Sequence, residues 1–164
     1  MSQNHALDRI DIAILAELQK NARLPNKELA TRVGIAQSTC IERVRRLWDR
    51  KVLRGFHADV DHSALGIGLE ALVAIQLTRH SKELVEAFRR HALSLPEVLA
   101  VTHLAGENDF LVHVAARDAV HLRDLAMSAF TTREEVARIE THLIFEHKRS
   151  SRLPVLVEEG DERD

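Results

Sequence analysis

The chain has 164 residues, 45% of them hydrophobic and 29% charged, which is the balance of a globular chain and not of a disordered one. No apolar run reaches the ~18–20 residues that a membrane span needs, so a membrane partner is not expected. The net charge of −2 argues against nucleic acid, but it is an average: residues 1–60 carry 11 Lys+Arg against 7 Asp+Glu (+4), and residues 61–164 carry 12 against 18 (−6). The split predicts a basic binding module joined to an acidic one. The N-terminus has no apolar signal core and Cys40 is the only cysteine. A disulfide within one chain is therefore impossible, and a cytoplasmic setting is expected.

In chain order, Leu7, Ile10, Ile14 and Leu18 recur at helical spacing, with Asp8 as N-cap and Asp11 in the first turn, where the helix dipole favours an anion. Asn26 is expected to cap a second short helix that turns Leu29, Ala30 and Val33 inward and ends at Gly34. A third helix, from about Gln37 to Lys51, would bury Cys40, Val44 and Leu47. Three helices with a glycine-containing turn before the third outline a helix-turn-helix. Gly55–Val60 is predicted to be extended, with Trp48 packed against it, and His62–Gly68 is predicted to be a linker.

The period then changes. Leu69–Thr78 is predicted as a strand. Leu84, Phe88, Ala92 and Leu95 mark a helix that Pro96 stops. Val98–Ala105 and Phe110–Ala116 are predicted strands, joined by the turn Gly106-Glu107-Asn108-Asp109. Leu122, Leu125, Ala126 and Ala129 mark a further helix, and Val136–Phe145 a last strand. The order β-α-β-β-α-β is that of a ferredoxin-like domain. The expected organisation is α+β: a helix-turn-helix domain over 1–54, an extended linker over 55–68, a ferredoxin-like domain over 69–154 and a charged tail over 155–164. The tail is expected to be mobile from Glu158 onward.

The third helix carries the candidate nucleic-acid face. Gln37, Ser38, Thr39 and Glu42 lie near its start and offer an amide, two hydroxyls and a carboxylate, the groups that read base edges in the major groove. Arg43, Arg45, Arg46 and Arg50 follow, the residue type that clamps phosphates.

These residues resemble the Lrp/AsnC, or feast/famine, regulators. The resemblance rests on Leu7-Asp8-Arg9-Ile10-Asp11, Asn21-Ala22-Arg23, Glu28-Leu29-Ala30, Val33-Gly34-Ile35 and Arg43-Val44-Arg45-Arg46-Leu47. It continues through Val98, Gly106-Glu107-Asn108-Asp109-Phe110 and Lys148 to Leu153-Pro154, so it spans almost the whole chain. It implies a winged-type helix-turn-helix followed by a RAM-type ferredoxin-like domain. It also implies a transcription regulator acting on double-stranded DNA at a pseudo-palindromic operator, a homodimer that assembles further into tetramers or octamers, and a small-molecule effector, commonly an amino acid. No other cofactor is implied. The effector would lie against the loop Gly106, Glu107, Asn108, Asp109 and Phe110, with Thr141 as a further contact. Gly106 would permit close backbone approach, and the Asp109 carboxylate would pair with an ammonium group. The chain departs from the family pattern at Ala36, which replaces a Ser or Thr cap, at Lys51, which stands at a usual turn glycine, and at Trp48, Phe56 and Phe110.

Two other classes stand beside this reading: a ferredoxin-like enzyme that binds small molecules, and a ligand-binding assembly module without a DNA role. No phosphate loop or nucleophile elbow supports the first. Among the ten histidines, His103 and His113 could be neighbours on adjacent strands, but no metal-ligand spacing occurs and no metal is expected. Cys40 falls on an apolar stripe and is expected in the core.

Overall fold

The computed structural model describes residues 7–150 and 152–156; the charged segment from residue 157 on, where a mobile tail is expected, lies outside them. They form two compact units. One is the chain up to Asp59 together with the segment from Lys148, and the other is Val60–His147. The described residues from Lys148 on belong to the helical unit, where the Leu153 amide donates to Gln19 Oε1 at 2.7 Å.

The helical unit holds α1 (Arg9–Lys20), α2 (Asn26–Val33) and α3 (Gln37–Asp49). Asp8 caps α1 as expected, its Oδ1 accepting from the Asp11 amide at 2.8 Å. The start of α2 differs by one residue: Pro25 takes the cap position without a side-chain bond, and Asn26 is the first helical residue. Proline fits there because its fixed φ suits the entry and its carbonyl accepts from Leu29 N at 2.9 Å. Gly34 ends α2 in the left-handed region at φ 73°. The Ile35 amide then reaches back to Ala30 O and the Gly34 amide to Thr31 O, a Schellman closure. Ile14, Leu18, Leu24, Leu29, Ala30, Cys40 and Leu47 form the core of the unit. Gly55–Val60, expected as a strand, is irregular. Its Phe56 nonetheless receives Trp48, with ring centroids 5.9 Å apart.

The second unit opens with a short turn at Ser63–Leu65 and continues as β1 (Leu69–Leu77), α4 (Lys82–Ser94), β2 (Val98–His103), β3 (Phe110–Ala116), α5 (Ala119–Leu125) and β4 (Val136–Ile144). The sheet order is β2-β3-β1-β4, with every pairing antiparallel. This is the ferredoxin-like α+β arrangement the periodicity predicts. Ala71, Val73, Ile75 and Leu77 of β1 join Phe110, Val112 and Val114 of β3 under Phe88 of α4 and Leu122 of α5. Alternate β1 residues, Glu70, Leu72 and Gln76, are half-buried on the opposite face. Past α5 the helix widens into a π-turn over Ala126–Thr131. Thr131 Oγ1 there donates to Ala126 O, five residues back. Gly68 sits so close to β3 that an added Cβ would lie 2.1 Å from Arg117 O.

Candidate nucleic-acid interface and effector site

The face of α3 follows from its amphipathic spacing. Cys40 and Leu47 are fully buried. Gln37, Ser38, Thr39, Glu42, Arg45 and Arg46 are exposed, whereas Arg43 and Arg50 are half-buried. Ala36 caps α3 without a side-chain acceptor, so the first amides of the helix stay open beside Gln37 and Ser38. At the other end, the Val52 amide bonds Leu47 O and the Lys51 amide bonds Trp48 O. Lys51 makes this closure at φ 60°, a left-handed position that glycine takes at lower cost.

The arginines are not equivalent. Arg45 is 83% exposed and only loosely paired with Asp49, at 3.8 Å. Arg43 is 23% exposed, and its Nη1 lies 2.5 Å from Asp8 Oδ2 and 2.9 Å from Asp11 Oδ1. Arg46 Nη2 bonds both Asp11 oxygens, at 3.1 and 3.0 Å. Burial works against ionisation of Asp8, but Arg43 and the Asp11 amide outweigh it and hold the carboxyl below its ordinary 3.8. The same bonds keep the Arg43 guanidinium more firmly protonated than usual.

The loop between β2 and β3 divides in the same way. Gly106 and Glu107 are exposed and Asn108 is half-buried, while Asp109 and Phe110 are buried. Gly106 has φ 151°, and no atom lies within 4 Å of where its Cβ would be. Asp109 Oδ2 accepts from the Leu77 amide at 2.7 Å, and its Oδ1 lies 2.6 Å from His80 Nδ1. Its own amide donates to Ile75 O at 2.8 Å. Both carboxylate oxygens are thus engaged in clasping β3 to the end of β1. Phe110 is core, 4.8 Å from the rings of both Phe88 and His103. Thr141 is exposed on β4, paired in register with Val73. The loop reaches β4 elsewhere, through Glu107 and Arg138 at 3.8 Å.

Asp11, His80 and Arg138 are absent from the sequence reading as site residues. Asp11 lies 32 and 35 residues from its arginines, so no local period could reveal the pairing. Its one signal was a carboxylate on the stripe side of a helix, read there as a dipole partner.

The histidines fall differently from the expectation. His103 pairs with Phe110 and His113 with Ala100, so the two are not neighbours. His113 Nε2 instead lies 2.6 Å from Glu70 Oε2, His62 Nδ1 lies 2.6 Å from Glu70 Oε1, and His147 stacks on His113 at 5.5 Å. Burial raises the Glu70 pKa, but the two histidines outweigh it and hold the carboxyl below its ordinary value. A cleft of about 260 Å³ opens beside them, with Ile67, Leu69 and Phe145 also in its wall. Among the described residues no group of three or more His, Cys, Asp or Glu is placed to hold a metal ion. No helix among them is long and apolar enough to cross a membrane.

Two family models match the chain: an AsnC-type helix-turn-helix domain over residues 7–47 and an Lrp/AsnC ligand binding domain over residues 70–153. The HTH-type transcriptional regulator AldR of Mycolicibacterium smegmatis is 44% identical over 88% of this chain and 85% of that protein. The leucine-responsive regulatory protein of Rhizobium meliloti is 38% identical over 84% of this chain and 88% of its own length. Among solved structures, a transcriptional regulator of Neisseria meningitidis in complex with L-Met superposes with a TM-score of 0.84 at 29% identity, covering 91% of this chain and 97% of that one.

Proposed function

The chain belongs to the Lrp/AsnC family of transcriptional regulators, and from that premise we propose how its two units divide the work. The helical unit binds double-stranded DNA by inserting the start of α3 into the major groove. Gln37, Ser38, Thr39 and Glu42 read base edges there. Arg45 holds backbone phosphate, with Arg46 and Arg50 beside it. The observation that carries this reading is the division of α3 into a buried edge at Cys40 and Leu47 and an exposed polar edge running from Gln37 to Arg46. Kinship with regulators sets aside the reading as a ferredoxin-like enzyme.

The sheet unit binds a small effector and a second copy of the chain. The face of β1 and β4 left uncovered by α4 and α5 packs against its counterpart. That dimer presents two recognition helices about 34–36 Å apart on a pseudo-palindromic site. The effector is an amino acid, bound between subunits at the loop tip where Gly106 and Glu107 are exposed and Asn108 is half-buried. It favours one assembly over another through its differential affinity for the two. Asp109 shapes that tip from beneath. The L-Met bound by the Neisseria regulator supports an amino-acid ligand, and the bacterial regulators among the relatives support a cytoplasmic setting.

The test is fluorescence anisotropy with a duplex from upstream of the protein's own gene, titrated with salt. Affinity falls steeply as phosphate contacts release counterions. Arg45→Ala lowers affinity for that duplex and for a random duplex alike, whereas Gln37→Ala mainly erases the difference between them. Salt-independent binding, or the reverse pattern in the two variants, refutes the assignment. A thermal-shift screen of the amino acids identifies the effector.

A further inference from the structure

Asp11 and Asp109 are the two buried charged residues among those described, and Asp11 is the more enclosed at 1% exposure. A buried carboxylate is tolerated only when paired. Asp11's ion-pair partners, Arg43 and Arg46, both come from α3. Asp8 completes the circuit from the cap of α1, giving one oxygen to the Asp11 amide and the other to Arg43. Two carboxylates thus face two guanidinium groups, and the cluster is neutral. Such clusters are weak sources of stability, because well-packed apolar residues of similar volume often hold a core as well or better. What an ion pair supplies instead is direction.

The direction given to Arg46 is specific. Asp11 takes its Nη2, while the side chain remains 50% exposed. A guanidinium is a rigid planar fork, so holding it at Nη2 restricts where its other nitrogens can point. Arg43 is more enclosed, at 23%, and keeps a bond to Asp11 whether or not Arg46 turns away. We propose that Asp11 is a positioning residue for DNA recognition: it holds Arg46 through Nη2 so that the remaining N–H groups meet a backbone phosphate already ordered. Arg43 is the strut that keeps the buried carboxylate paired. This rests on the DNA reading of α3 given above.

The sign of one substitution tests it. Asp11→Asn removes a negative charge beneath a DNA-binding face, so charge alone makes binding tighter. Positioning makes it weaker, by about three- to tenfold, the factor that corresponds to ordering one long side chain. The measurement is anisotropy on the upstream duplex and on a random duplex, with circular dichroism confirming the fold. With Arg46→Gln already present, Asp11→Asn is expected to weaken binding no further. Arg46→Lys, at an exposed site that folding tolerates, keeps the charge but not the fork; it is expected to lose affinity while keeping the salt slope. It carries the test alone if Asp11→Asn does not fold. Tighter or unchanged binding by folded Asp11→Asn, additive effects of the pair, or full affinity in Arg46→Lys overturns the proposal. Absence of wild-type binding to both duplexes overturns the DNA reading itself, and the proposal with it.

Discussion

Replacing Asp109 by alanine separates two roles that one carboxylate could play. In the folded sheet Oδ2 accepts from the buried Leu77 amide at 2.7 Å and Oδ1 meets His80 at 2.6 Å. Truncation strands the Leu77 N–H, because Asp109 is 4% exposed and solvent cannot reach in to replace it. Loss of a hydrogen bond to a charged acceptor, with the donor left buried, costs roughly 2–3 kcal/mol. The His80 half adds little, since that imidazole is 72% exposed. Asp109→Asn keeps an oxygen for the amide and is expected to cost under about 1 kcal/mol. Urea unfolding followed by hydrogen exchange in the Leu69–Leu77 peptide reads both variants, with the Leu77 amide exchanging fastest in the alanine variant. A thermal-shift titration with the amino acid then asks whether Asp109→Asn still responds. Should Asp109→Ala unfold at the wild-type urea concentration yet lose its ligand response, the carboxylate is a ligand contact and the clasp argument is wrong.

Lys51→Gly is expected to stabilise the helical unit by about 0.5–1 kcal/mol, because relief of the left-handed strain at φ 60° exceeds the added freedom of the unfolded chain; a lowered melting temperature refutes it. Gly68→Ala is expected to destabilise the sheet unit by about 1–3 kcal/mol, since the new methyl lies 2.1 Å from Arg117 O and forces apart the backbone just before β1 and just after β3; wild-type stability in urea contradicts it. Asp8 titrates below its ordinary 3.8 when folded, so its share of stability is fully present above pH 3.8 and is lost as pH falls through the lower folded value. Asp8→Asn is expected to flatten that acid limb in urea titrations; an unchanged limb shows that Arg43 does not hold the carboxylate.

What the sequence disclosed tracks the range of the interactions concerned. Asp8 as a cap, Gly34 as a helix stop and the apolar runs of Leu69–Thr78 and Phe110–Ala116 are local patterns, and each stands in the structure as a cap, a helix end or a strand where the sequence puts it. The start of α2 slipped by one residue because Asn26 and Pro25 are both good entry residues, and backbone geometry chose between them. The irregular path of Gly55–Val60 was hidden by its apolar residues, two of which, Phe56 and Val60, are about half exposed. The π-turn, with its side-chain bond from Thr131 to Ala126 O, follows no period visible in the sequence. The candidate site was legible as a set of residues and not as a set of roles. Arg43 and Arg45 are the same residue type two positions apart. Only the fold shows that one is held by carboxylates from α1 and the other stands in solvent. Asp109 was visible as a carboxylate in a glycine turn, but its partner amide on β1 lies 32 residues away.

The contact between Trp48 and Phe56 has a practical consequence. The chain has one tryptophan and no tyrosine, so nearly all of its near-ultraviolet emission comes from a single ring on α3, the helix proposed to enter the major groove. The sheet unit, with its phenylalanines, is optically dark by comparison. A small molecule that binds the sheet unit and stops there leaves the emission untouched. For a ligand that binds only the sheet unit, any change in colour or intensity is therefore a message that has crossed from one unit to the other. The protein carries its own indicator of whether ligand binding is heard at the reading head.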